Sequence, residues 1–350
     1  MDTTQGPVDW ELAVRVAGRL AAPGPVADRA ELTALVDELR DAAGRAAEHA
    51  AAITGLAALD GTPPGRVSTV LVVDRPRWAQ ANAEVFAAMT GPLAGTTPSS
   101  ATRSAAALQV GGVLALLSGK VLGQFDPFTS ADGRGRLLLV APNVLHHERR
   151  LRVDPSDFRL WVALHEQTHA LQFAAAPWLA GHLRSRAAEL MTDLVADRSL
   201  VPRVGELVQA VARAVTGGTE DGIGVLDLLS RRQRTVFEEV GAVMALLEGH
   251  ADVAMDEVGP GVVPSVRTIR RAFEARRDEA ASARGVDRVL RRLLGLDAKL
   301  AQYRDGAAFV RAVRKVVGRD GLNAVWSSVD HLPSPAEIAD PRAWVRRVHG

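Results

Sequence analysis

At 350 residues and 47% apolar content, the chain can bury a large core in one big domain or two ordinary ones. Its formal charge of +1 gives no bulk field favouring nucleic acid or a membrane surface. There is no cysteine, which excludes disulfides, thiolate chemistry and cysteine-ligated zinc, so any metal must be held by histidine and carboxylate.

The opening segment has no basic region followed by an apolar run, so no signal peptide is expected. Asp9 can cap a helix to about Leu20. A long alanine-rich helix follows from about Asp28 to Ile53, with Leu32, Leu35, Leu39 and Ala43 on one face. After the Gly61–Gly65 loop, Ser68 to Val73 reads as a buried strand stopped by Asp74-Arg75-Pro76, and Pro76 can open a helix to about Met89. Ala105 to Val121 is too short and too interrupted for a membrane span and reads as a buried helix. Ser118-Gly119-Lys120 is not a phosphate loop, because Leu114 stands where a glycine is required and Val121 where Ser or Thr is. Arg136 to Val140 is a second buried strand ended by Pro142-Asn143, either a plain core strand or an edge for extended substrate. Asp154 or Ser156 can start the next helix, and helices continue to about Val317.

That helix carries His165-Glu166-Gln167-Thr168-His169 among Trp161, Val162, Leu164, Leu171 and Phe173. Histidines four apart are offset by about 40° on a helix, so both imidazoles leave one face a turn apart and can share a tetrahedral zinc. Glu166 is too constrained to be a third ligand from this turn, but it can act as general base toward a water activated by the metal.

A hydrolytic zinc needs a third ligand and an open position. A third histidine on the same segment would require glycine at 172 and histidine at 175, where the chain has Gln172 and Ala175. A downstream carboxylate remains, and Glu189 and Glu248 compete for the role. Each has an aspartate four residues on, Asp193 and Asp252, which could orient a ligating histidine from a second shell. Arg186 can hold Glu189 as a surface pair, whereas Glu248 lies in an apolar run with Arg234 the nearest preceding cation. A buried carboxylate needs a partner, which favours Glu248 and leaves Glu189 as the alternative. Gly249 would let another backbone approach closely. His250 points away from Glu248 as a core histidine or reaches the cleft from the side, and His146-His147 read as a solvated pair. Tyr303, the single tyrosine, is either a phenol donor to a developing oxyanion or a packed side chain.

The segments His165–Phe173, Leu247–Asp252 and Lys299–Tyr303 resemble the zincin-like domain-of-unknown-function metalloproteases of actinobacteria and related bacteria. The chain looks closest to their deazaflavin coenzyme biosynthesis-associated branch. Val8-Asp9-Trp10, Val72 to Pro76 and the tail from Leu332 to Trp344 add to the resemblance, which covers nearly the whole chain. Glu248 to Ala251 is also similar to the third-ligand helix of several other zinc peptidases. The resemblance implies a mainly α fold with a small β-sheet, and a gluzincin-type site with His165, His169 and Glu248 on zinc and Glu166 as base. We expect one zincin-like domain over residues 8–348, with a metal-site half from about 151. The expected protein is a cytoplasmic zinc metallopeptidase acting on a peptide or protein, without nucleic-acid or membrane partners. The alternative is a zincin-fold protein that binds a partner or a coenzyme-pathway intermediate without cleaving peptides.

Overall fold

The computed structural model describes residues 8–90, 99–129, 134–196, 230–282 and 296–350. The described residues are mainly helical with one three-stranded sheet, the expected class. The chain gathers into two compact units, Met1–Arg184 with Ala254–Ile269, and Ser185–Val253 with Arg270–Gly350.

The first unit opens with α1 (Trp10–Leu20) and α2 (Arg29–Thr54). Asp9 and Asp28 start them as expected, each carboxylate accepting a first-turn amide, from Leu12 at 2.9 Å and Glu31 at 2.8 Å. The buried stripe of α2 is Leu35, Leu39, Ala43, Ala46, Ala47 and Ala50. Leu32, expected on that stripe, lies in the opening turn ahead of it and is 43% exposed. The alanines let α2 lie close along α6 (Pro155–Ala175), because little side chain stands between the two backbones.

Strands β1 (Thr69–Val73), β2 (Gly123–Asp126) and β3 (Arg136–Val140) form a sheet in the order β1-β3-β2. β1 runs parallel to β3 with Thr69 opposite Arg136, and β2 runs antiparallel with Gly123 opposite Leu139. β1 and β3 fall where the apolar runs predict them. β1, however, is an edge strand buried only at Val73, since an apolar run alone does not say where in a sheet a strand sits. β3 is central, with Leu137 to Val140 almost fully buried. Both its edges are paired, so the plain core-strand reading holds and an extended substrate cannot add to it.

Helices α3 (Arg75–Thr90) and α4 (Ser100–Ser118) lie between β1 and β2. α4 covers most of the apolar stretch but is buried on one side only, leaving Leu108, Val113 and Leu116 exposed. No helix among the described residues is long and apolar enough to cross a membrane. α5 (Ala141–Leu151) follows β3 directly, so Pro142 and Asn143 do not lead into a loop. Proline is tolerated in a first helical turn, where no intrahelical N–H bond is lost. α5 exposes His146 but buries His147, so the solvated-pair reading fails for His147. Arg159 on α6 forks onto Glu148 of α5 at 2.6 and 3.0 Å and also pairs with Glu38 of α2, tying the three helices together. Burial pushes the Glu148 carboxyl up, against the pull of Arg159.

α7 (Trp178–Ala196) runs into the second unit, and α8 (Arg231–Glu257) runs from the second unit into the first. After α9 (Val266–Ser282), α10 (Leu296–Asn323) carries Phe309, whose ring meets that of Trp344 on α12 (Pro341–His349) at 5.8 Å. The short α11 (Pro335–Ala339) between them starts with a reciprocal cap between Ser334 and Glu337.

Candidate metal centre

α6 is built to run through the core. Asp154 accepts the Asp157 amide at 2.9 Å and Pro155 occupies the first turn. Phe158, Leu160 to Leu164 and Leu171 are buried. Two polar side chains inside it have main-chain partners. The Gln167 amide donates to the Ala43 carbonyl at 2.9 Å, and the Thr168 hydroxyl donates to the Leu164 carbonyl at 2.8 Å.

His165 and His169 leave one face of α6, their ring centres 4.7 Å apart and their Nε2 atoms 3.1 Å apart. The other ring nitrogens have separate neighbours: His165 Nδ1 lies 3.1 Å from Met255 Sδ, and His169 Nδ1 lies 2.9 Å from Gln172 Oε1. Met255 is on the last turn of α8, within the first unit.

Glu166 is 6% exposed and lies against Gly123 at the start of β2. A Cβ at Gly123 would stand 2.6 Å from Glu166 Cγ and 2.8 Å from Oε1, so the absence of a side chain there makes room for this carboxylate. Gly123→Ala should therefore displace Glu166 without touching the histidines. Hydrolytic activity is expected to fall on the order of a hundredfold, the cost of about 1 Å of misplacement, at unchanged metal content. Undiminished activity in this variant would mean that the carboxylate position does not matter.

One ligand atom each from His165, His169 and Glu248 lies within 4.8 Å of the others. Glu189 stands differently. Arg186 and Arg232 hold it at 3.0 and 2.8 Å, and the Arg232 hydrogen bond leads in keeping its carboxyl below the ordinary value. Beside Glu248, Gly249 meets the backbone of Gly306 on α10, where a Cβ would overlap the Gly306 carbonyl carbon. Asp252 pairs with Arg270 at 2.7 Å. His250 is buried with its ring 5.4 Å from that of Trp326, a core histidine. The side chains of Tyr303 and Asp193 lie outside the described residues.

Sequence reasoning missed three neighbours of the motif. Gln172 entered only as a departure from the three-histidine pattern. Met255 carried a signal, since it lies seven residues, or two turns, after Glu248 and so on the same helix face. Gly123 carried none, because only the fold brings it to Glu166.

Residues 8–345 match the family model described as zincin-like metallopeptidase. The chain belongs to that family. A solved structure from Chloroflexus aurantiacus, described as a proposed hydrolase with a novel fold, is 30% identical. The match covers 97% of this chain and 98% of that one, with a TM-score of 0.67. None of the functionally curated proteins matches. The zincin-like assignment implies a metal, and the donors grouped here fit one: two imidazoles and a carboxylate, with no thiolate in the chain.

Proposed function

We propose that the chain is a zinc-dependent peptidase of the gluzincin type, with His165, His169 and Glu248 as metal ligands and Glu166 as general base. The observation that carries this reading is the convergence of the three donor atoms within 4.8 Å, with Glu166 next to His165 on the same helix. Three protein donors leave a fourth position for water or substrate, the arrangement of hydrolytic zinc. Zinc bound there supplies Lewis acidity, polarising a scissile carbonyl and acidifying water.

The chain's own part is proton transfer and positioning. Glu166 takes the proton of the attacking water and passes it to the leaving amine. β2 pairs with β3 on one side, and among the described residues no strand pairs with its other side. That edge, next to Glu166 through Gly123, suits an extended peptide held by main-chain hydrogen bonds. Tyr303 is our candidate donor to the developing oxyanion, and Asp252 our candidate outer support of the ligand helix. The proposed substrate is a peptide or protein, and the proposed setting is the cytoplasm.

Elemental analysis of the purified protein after mild dialysis should find about one zinc per chain. Less than about a tenth of an equivalent, with no uptake from added zinc, would overturn the reading. Bound zinc without cleavage across a broad library of unstructured peptides would instead favour a zincin-fold protein that binds a partner or a coenzyme-pathway intermediate.

A further inference from the structure

We infer that Gln172 and Met255 are positioning residues that fix the tautomers of the two motif histidines, presenting both Nε2 lone pairs to one point. The inference rests on the metal-binding reading above and names what orients its ligands.

A thioether sulfur has no proton to give. The 3.1 Å contact between Met255 Sδ and His165 Nδ1 is therefore attractive only when Nδ1 carries the hydrogen. The Gln172 Oε1 atom, 2.9 Å from His169 Nδ1, makes the same demand. A neutral imidazole has one N–H, so placing it on Nδ1 leaves the lone pair on Nε2. The two Nε2 atoms then face each other at 3.1 Å. Two lone pairs so close repel, a cost that the Nδ1 contacts hold against in the metal-free protein and that a bound cation removes. Their separation is near the roughly 3.3 Å expected for two nitrogens bound tetrahedrally at about 2.05 Å to one ion. Gln172 is 0% exposed and Met255 4% exposed, so neither acceptor sits in open solvent.

Metal-bound histidines usually donate to a carboxylate, a carbonyl or water. Asp252, the carboxylate expected in that role, is paired with Arg270. An amide and a thioether fix the tautomers while adding no negative charge, so the charge of a bound cation stays less offset than beside a carboxylate. The placement is economical. Gln172 is one turn beyond His169 on α6, and Met255 two turns beyond Glu248 on α8, so each ligand helix also supplies one acceptor.

The test uses the full chain as wild type, Met255→Leu, Gln172→Leu and Gln172→Glu. Long-range proton–nitrogen NMR of the metal-free proteins reads the tautomers, and competition with a chromophoric chelator reads affinity for zinc. In the wild type both histidines should carry their proton on Nδ1. Met255→Leu should release His165 alone and Gln172→Leu should release His169 alone. Each should weaken zinc binding about 10- to 100-fold, whereas Gln172→Glu, which keeps an acceptor, should stay within about threefold of the wild type or bind more tightly. Unchanged tautomers, or wild-type zinc affinity in both leucine variants, would overturn the inference. Should a leucine variant fail to fold, the wild-type spectrum still decides, since a proton on Nε2 of either histidine contradicts it. If the wild type takes up no zinc while both tautomers are as expected, the metal reading fails and the positioning does not.

Discussion

Glu166→Gln should retain zinc and lose at least about a hundredfold in hydrolysis, the lower end of a typical general-base contribution. The two effects separate because Glu166 is not among the residues grouped as metal ligands, and glutamine has nearly the same shape. Its amide cannot accept a proton at neutral pH, so only the transfer is removed. The comparison is paired: zinc per chain and cleavage of an unstructured peptide library, wild type beside variant. Equal cleavage by both would mean that another base, or a contaminant, does the work.

Glu248→Ala should lower zinc affinity by more than about a hundredfold, beyond the range for loss of an outer partner. Glu189→Ala should leave it unchanged. Glu189 is engaged by Arg186 and Arg232 and belongs to no donor group among the described residues, whereas Glu248 is grouped with the two histidines. X-ray absorption of the zinc-loaded variants gives a second readout. Glu248→Ala should lose one oxygen at about 2.1 Å from the metal. Loss of that oxygen in Glu189→Ala would reverse the assignment.

Features set by local chemistry were legible in the sequence. Asp9, Asp28 and Asp154 each start a helix because a side-chain carboxylate meets a first-turn amide within a few residues. The motif was legible for the same reason, since a spacing of four fixes a shared helix face whatever the surroundings. The surface pairing of Glu189 was legible too, because an arginine one turn away is visible in a string of residues. Features set by neighbours were not legible. Gly123-Gln124-Phe125-Asp126 has neither an apolar run nor a clear alternation and is a strand because β3 pairs it. α5 was hidden because Pro142 reads as a stop after a strand as readily as it reads as a first helical turn. The partnership of His165 with Met255 joins residues on different helices, and no local pattern encodes it.

The crossing of Gly249 and Gly306 carries a mechanical consequence. Glycine inside a helix costs about 1 kcal/mol against alanine, and here both α8 and α10 bear it. At Gly306 an added Cβ would strike the Ala245 carbonyl oxygen, so main chain meets main chain from both sides. A contact between side chains can absorb strain by changing rotamer; one between backbones has no such slack. Glu248 adjoins this crossing in sequence, so the root of its long side chain is held with main-chain stiffness and only the outer bonds remain to adjust. Metal coordination tolerates errors of about 0.2 Å. The proposed ligand, starting from a rigid datum, would meet that tolerance with few torsions left to freeze.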